Sequence, residues 1–138
     1  MNQQVLSPAE GLIYVMVLVA AADRDLTDRE VKRIGDQVTN LPVFRDFDVD
    51  QLTHVAEDCA NSLNRDDGLD HVLNFVAATL PAKLRETAYA LACEIAAADL
   101  HLEQEELRVL ELLRNRLDLD PLVTAAIERT VRARHRTV

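Results

Sequence analysis

An internal repeat constrains the fold of this chain more than any other feature. Residues 19–31, VAAADRDLTDREV, recur as residues 95–107, IAAADLHLEQEEL. Both copies keep three alanines, an Asp, a Leu three residues later and a Glu seven residues after the Asp. Because a repeated segment of this kind is one structural unit used twice, the sequence predicts two related helix-turn-helix pairs.

Further helix signals fill the rest of the chain. Capping boxes from Ser7 to Glu10 and from Thr27 to Glu30 open predicted helices over about residues 8–23 and 28–41. Apolar residues at helical spacing mark five more helices, over about residues 48–63, 69–80, 81–99, 107–117 and 121–131. The fifth helix should begin at Pro81, and the seventh should turn Leu122, Ala125, Ala126 and Val131 inward.

No stretch alternates with period two over enough residues to predict a strand. The expected fold is therefore all-α, a compact bundle of about seven helices. Two repeated hairpins, helices 1–2 and 5–6, flank a linking pair, and helices 1 and 5 are the most buried. The length of 138 residues fits a single domain over residues 1–138, with residues 1–6 and 135–138 as loose termini.

Composition narrows the classes of function. The net charge of −9 disfavours nucleic acid as a partner. The apolar run over residues 11–22 is too short to span a bilayer, and no Lys or Arg precedes it as in a signal peptide. Cys59 and Cys93 lie in apolar helical patterns and predict two buried thiols in a reducing compartment. We therefore expect a cytoplasmic protein with no transmembrane segment.

Basic residues gather at the C-terminus of this acidic chain. Two interpretations of this cluster stay open. In the first, the cluster places cations where the dipole of a helix C-terminus favours them. In the second, it forms a docking patch for an acidic partner or for lipid headgroups, and binding to headgroups would give peripheral membrane association. The cluster consists of Arg129, Arg132, Arg134, His135 and Arg136.

The repeated acids fall at two predicted helix junctions. Asp23 and Asp99 would each lie in the last turn of a helix, where a carboxylate is disfavoured by roughly 0.3–1 kcal/mol. One interpretation is structural: the following helix offers free N–H groups to the Asp, and Glu30 and Glu106 reach back to their cap residues. On this interpretation the acids fasten the helix corners.

The other interpretation is a divalent cation site. The main candidate ligands are Asp23, Glu30, Asp99 and Glu106, with Asp25, His101 and Glu103 as secondary candidates. Carboxylate oxygens suit Ca²⁺, and a His among them also admits Mn²⁺ or Zn²⁺. The first junction is not an EF-hand, because Asp28 and Ile34 stand where that loop needs Gly and Glu.

The sequence contains no nucleophile with a nearby base, no phosphate-binding loop and no paired CxxC motif. We therefore expect no enzymatic activity and no other cofactor.

The repeated stretches resemble the tellurite-resistance TerB-like family. That family carries two copies of an alanine-rich helix ending in Ala-x-Ala-Asp-Gly, followed by an apolar residue and a Glu. Here Arg24 and Leu100 stand in place of the family's Gly. The segment KLRETAYALACE, residues 83–94, also resembles the family, and the resemblance covers about residues 8–133.

The resemblance implies an all-helical cytoplasmic protein with a role in tellurite or general stress resistance. It also implies a domain that binds metal and acts with partner proteins. Because the same domain type is found beside DnaJ-like domains, the alternative is a chaperone-linked or membrane-complex adaptor that binds no metal and uses its acids as helix caps.

Overall fold

The computed structural model describes residues 7–22, 26–97 and 104–138. Within them the chain forms α-helices and short 3-10 turns, and no strand, which confirms the predicted all-α bundle. The α-helices are α1 (Pro8–Ala20), α2 (Asp28–Asn40), α3 (Leu52–Leu63), α4 (Gly68–Thr79), α5 (Arg85–Ala97), α6 (Gln104–Arg116) and α7 (Pro121–Arg134). Short 3-10 turns occupy Pro42–Phe44, Val49–Gln51 and Ala82–Leu84.

Helix α1 forms the centre of the bundle. Every residue from Gly11 to Ala20 is buried, so α1 has no solvent face beyond its first turn. A helix that is apolar all round must be covered on all sides, and α1 packs against α3, α4 and α5. Helix α5 is the second most enclosed helix, since seven of its residues are buried. The prediction that helices 1 and 5 are the most buried is confirmed.

The helix starts follow local capping chemistry, with two differences from prediction. Asp48 accepts a hydrogen bond from the Asp50 amide at 3.0 Å, but it opens a 3-10 turn, and α3 begins only at Leu52. Pro81 likewise precedes a 3-10 turn, and α5 begins at Arg85. Such turns are frequent at helix N-termini, where the tighter spacing leads the chain into α geometry.

The predicted inward face of α7 is wrong at three of its four positions, and only Val131 is buried as expected. Leu122 is 81% exposed, and Ala125 and Ala126 also face solvent. The buried positions are Thr124 and Val131. Thr124 can be buried because its hydroxyl donates to the Pro121 carbonyl at 3.0 Å. Because one inward position of this helix is polar, the spacing of its apolar residues alone predicts the wrong buried face.

Helix α6 also departs from its predicted face at one position. Leu107 is 43% exposed, whereas Leu110, Leu113 and Leu117 are buried as expected. The helix ends with Asp118 in a left-handed conformation, φ 52°, and the Leu119 amide donates back to the Arg114 carbonyl. None of the helices in the described segments is both long enough and apolar enough to cross a bilayer.

Candidate functional site

The described residues include part of the predicted acidic site. Glu30 and Glu106 are described, whereas Asp23, Asp25, Asp99, His101 and Glu103 lie outside the described residues. Within residues 7–22, 26–97 and 104–138, no three His, Cys, Asp or Glu side chains are grouped so that they could hold a metal ion. The metal assignment for all seven residues therefore stays a prediction.

Glu30 belongs to a complete capping box at the start of α2. Its Oε1 atom accepts hydrogen bonds from the Thr27 amide at 2.9 Å and from the Thr27 hydroxyl at 3.1 Å. In return, the Thr27 hydroxyl accepts the Glu30 amide at 3.2 Å. This carboxylate thus has the structural role that the helix-corner interpretation assigns to it. Ser7 and Glu10 make the same reciprocal pair at the start of α1.

We expect Thr27→Ala to lower the free energy of unfolding by roughly 0.5–2 kcal/mol, because the Glu30 amide loses its acceptor. The measurement is urea denaturation followed by circular dichroism. The matched control is Thr130→Ala, since the exposed Thr130 hydroxyl only donates to the Ala126 carbonyl within α7. The control should change stability by less than about 0.5 kcal/mol. Equal losses in the two variants would contradict a capping role for Thr27.

Glu106 differs from Glu30 in its surroundings. It lies in the first turn of α6, immediately after the second junction, and is only 5% exposed. It and Thr124 are the buried polar residues in the described part of the chain. Hydrogen bonds, an opposite charge or a metal ion can stabilise a carboxylate in a buried position. The equivalent acids of the repeat therefore occupy different environments, which their sequence positions alone do not reveal.

A polar network that the sequence patterns missed joins α5, α6 and α7. Buried Tyr89 donates its hydroxyl proton to Glu128, and Arg114 donates to the Tyr89 hydroxyl at 2.8 Å. Arg114 also pairs with Glu128 at 3.1 Å. The one available signal was a Tyr within an alanine-rich buried helix, because a buried phenol needs a polar partner.

A second polar cluster holds the end of α7 to α5. The Nε2 atom of His135 lies 2.9 Å from Oε1 of Glu94, and Nε of Arg134 lies 3.3 Å from Oε2. Arg132 and Arg134 occupy the last turn of α7, where the helix dipole favours cations. The structural interpretation of the basic C-terminus is thus supported for these residues.

Four buried groups have raised pKa values. Burial raises the pKa of Tyr14 to about 12 and that of the Cys93 thiol to about 11. Burial also raises the pKa of Cys59, and for Tyr89 the hydrogen bond to Glu128 adds to the effect of burial. Both cysteines are free and buried, as predicted. All four groups stay protonated in the folded state at a pH where an unfolded chain would ionise them.

The raised pKa values predict a loss of stability at alkaline pH. Unfolded thiols ionise near 9.0 and phenols near 10.0. Below these values the four groups carry the same protons in both states, whereas at higher pH the unfolded chain releases protons first. We expect the free energy of unfolding to fall between about pH 8 and about pH 11, by up to about 1.4 kcal/mol per pH unit for each group.

Urea denaturation in the presence of a reductant, repeated across this pH range, measures the decline. The double variant Cys59→Ala/Cys93→Ala should lose some stability at pH 8 from lost packing, and should then decline less steeply than the parent chain. Parallel declines in the two proteins would show that the thiols are not responsible.

One family comparison matches the chain. The family model described as "Tellurite resistance protein TerB" matches residues 9–129, which is most of the chain and includes both copies of the repeat. Comparison with curated proteins and with solved structures gives no match. The fold agrees with the match, because the described part of the chain is a compact bundle of helices. The chain therefore belongs to the TerB family of tellurite-resistance proteins.

Proposed function

We propose that this chain is a non-enzymatic module of a tellurite- or stress-resistance system and that it binds a divalent cation at its acidic helix junctions. The observation that carries the metal proposal is the burial of Glu106 immediately after the second junction. A carboxylate held in a low-dielectric position directly after an acid-rich loop is well placed to contribute to a cation site, because opposite charges attract more strongly there than in water.

The second junction is the stronger candidate of the two. Glu106 and Asp99 are its first ligands, with His101 and Glu103 as further donors. Asp23 and Glu30, with Asp25, form the counterpart at the first junction. At the first junction, Oε1 of Glu30 already accepts two hydrogen bonds from Thr27. The second junction offers four candidate ligands and the first offers three, so the expected order of affinity is second junction above first.

Calorimetric titration of the chelator-stripped chain with Ca²⁺, Mn²⁺ and Zn²⁺ tests the proposal. We expect binding with a dissociation constant of about 1 μM or tighter for one ion, and a stoichiometry that separates one site from two. Asp99→Asn and Glu106→Gln should each weaken binding by about tenfold or more, as loss of a carboxylate ligand requires.

Glu57→Gln is the matched control, because Glu57 is exposed on α3, outside both junctions. It should leave the affinity unchanged. Thermal melting of each variant without metal separates a lost ligand from a lost fold. The absence of heat with all three ions, or unchanged affinity in Asp99→Asn, would overturn the metal site.

The second candidate function is a helical adaptor that binds no metal and works through protein partners, either chaperone-linked or as a scaffold in a membrane complex. The capping box of Glu30 favours it, because that carboxylate already has a structural role. On this proposal the melting temperature of the chain is the same with and without divalent cations. A rise seen only in metal-loaded protein would decide for the cation site.

A further inference from the structure

The bundle has a groove between α6 and α7. Helix α5 packs against both of these helices, but the backbones of α6 and α7 make little direct contact with each other. The space between them has a volume of about 780 Å³. Its walls run from Leu107 to Arg114 on α6 and from Glu128 to Arg136 along and just beyond α7. At 1.5 Å per residue, each wall is roughly 10–12 Å long.

The floor of the groove is apolar and made of small residues. Cys93, Ala96 and Ala97 of α5 form it, with Leu110 and Val131 at its sides. Leu107 adds an apolar wall that is 43% exposed. Small side chains on a floor allow the backbone of another helix to approach closely, which larger residues would prevent.

The rim of the groove is basic although the whole chain carries a net charge of −9. Four arginines and two glutamates line it. Each glutamate is paired: Arg108 with Glu111 at 3.2 Å, and Arg114 with Glu128 at 3.1 Å. Arg132 and Arg136 make no ion pair with any residue that the structure describes, and both are exposed. The rim therefore has a local excess of positive charge beside an apolar floor.

We propose that this groove binds a short amphipathic helix of a partner protein, with apolar residues facing α5 and acidic residues facing Arg132 and Arg136. A helix that lies on α5 between α6 and α7 buries its apolar face in the manner of helix-in-groove recognition. The Arg114–Glu128 ion pair bridges α6 and α7 at one end of the groove, so the helix would enter from the other end. The two arginines attract acidic side chains at the edge of the contact, and this charge complementarity favours an acidic partner over a basic one. This proposal does not rest on the cation site proposed above.

The probe is a fluorescent synthetic peptide of about 16 residues, roughly four helical turns, with Leu at positions i, i+3, i+4 and i+7 and Glu at the flanking positions. One control peptide replaces every Glu by Lys, and a second replaces every Leu by Ser. Fluorescence anisotropy against the full chain should show saturable binding of the acidic peptide. Both control peptides should bind at least about tenfold more weakly. Binding of the acidic peptide should weaken between about 50 mM and about 300 mM salt.

Two pairs of variants locate the binding. The double variant Arg132→Glu/Arg136→Glu should bind the acidic peptide about tenfold or more weakly than the parent chain, and should bind the lysine peptide more tightly. Its control is Arg45→Glu/Arg129→Glu, which changes the net charge equally at exposed positions outside the groove. Leu107→Glu should also abolish binding, whereas Leu122→Glu, at an exposed Leu outside the groove, should not.

Several outcomes would overturn the proposal. These are no saturable binding of the acidic peptide, equal binding of the lysine peptide, or equal effects of the groove variants and their controls. Sedimentation that shows self-association lost in the groove variants would assign the groove to a second copy of this chain. Binding to anionic phospholipid vesicles that the groove variants abolish, without binding of the acidic peptide, would assign it to a membrane surface.

Discussion

We expect Leu12→Ala to lower the free energy of unfolding by roughly 2–5 kcal/mol. Leu12 is fully buried in α1, the helix against which α2, α3, α4, α5 and α6 pack. Removing its side chain leaves a cavity that the surrounding helices cannot close without moving. Because a domain of this size is stable by only about 5–15 kcal/mol, the loss is a large share of the total.

Urea denaturation measures this loss, and Leu122→Ala is the matched control. The substitution is chemically identical, but Leu122 is 81% exposed on α7. The control should shift stability by less than about 0.5 kcal/mol, as surface substitutions usually do. If the two variants lost similar amounts, either the central position of α1 or the outward face of α7 would be wrong.

Gly68→Ala should destabilise the chain by roughly 2–3 kcal/mol, although alanine is the better helix former. Gly68 is the first residue of α4, packed against the end of α3. A Cβ atom there would lie 2.4 Å from the Leu63 carbonyl oxygen and 2.5 Å from that of Ser62. Both contacts are with backbone atoms, so the turn between α3 and α4 would have to open.

Gly35→Ala, the same substitution at another helical glycine, should raise the stability of the chain. Gly35 lies inside α2, and a Cβ atom there would meet only the Leu52 Cδ2 atom, at 3.4 Å. We expect this variant to be more stable than the parent by roughly 0.5–1 kcal/mol, because alanine loses less backbone entropy in a helix. Thermal denaturation of the two variants side by side tests the pair, and shifts in the same direction would refute the packing of the α3–α4 turn.

Most of the fold could be predicted because local signals agreed with one another. Ser7 and Thr27 opened helices where their capping boxes placed them. The uninterrupted apolar run of α1 identified the centre of the bundle. The buried face of α7 could not be predicted, because Thr124 is polar and the spacing of apolar residues does not count it as an inward residue. Its burial is possible because its hydroxyl donates a hydrogen bond within its own helix.

The site could be predicted only in part, for a different reason. The duplication pointed to the acidic junctions, and the capping box gave the role of Glu30. The contacts of Tyr89 with Arg114 and Glu128 join residues that are 25 and 39 positions apart. Helical periodicity gives the face on which a residue lies, but not which residue of another helix faces it. Such pairs follow from the packing angles of three helices together.

The attachment of α7 has a consequence for how the molecule opens. Helix α7 packs against α5 and has at most marginal backbone contact with the other helices of the described segments. Ion pairs of Glu128 with Arg114 on α6 and of Arg134 with Glu94 on α5 also hold α7 in place. Breaking one packed surface and these partly exposed pairs costs less free energy than unfolding the whole domain, so we expect α7 to open on its own. In native-state hydrogen exchange, the backbone amides of α7 should exchange through this partial opening. The amides of α1 should exchange only when the entire bundle unfolds.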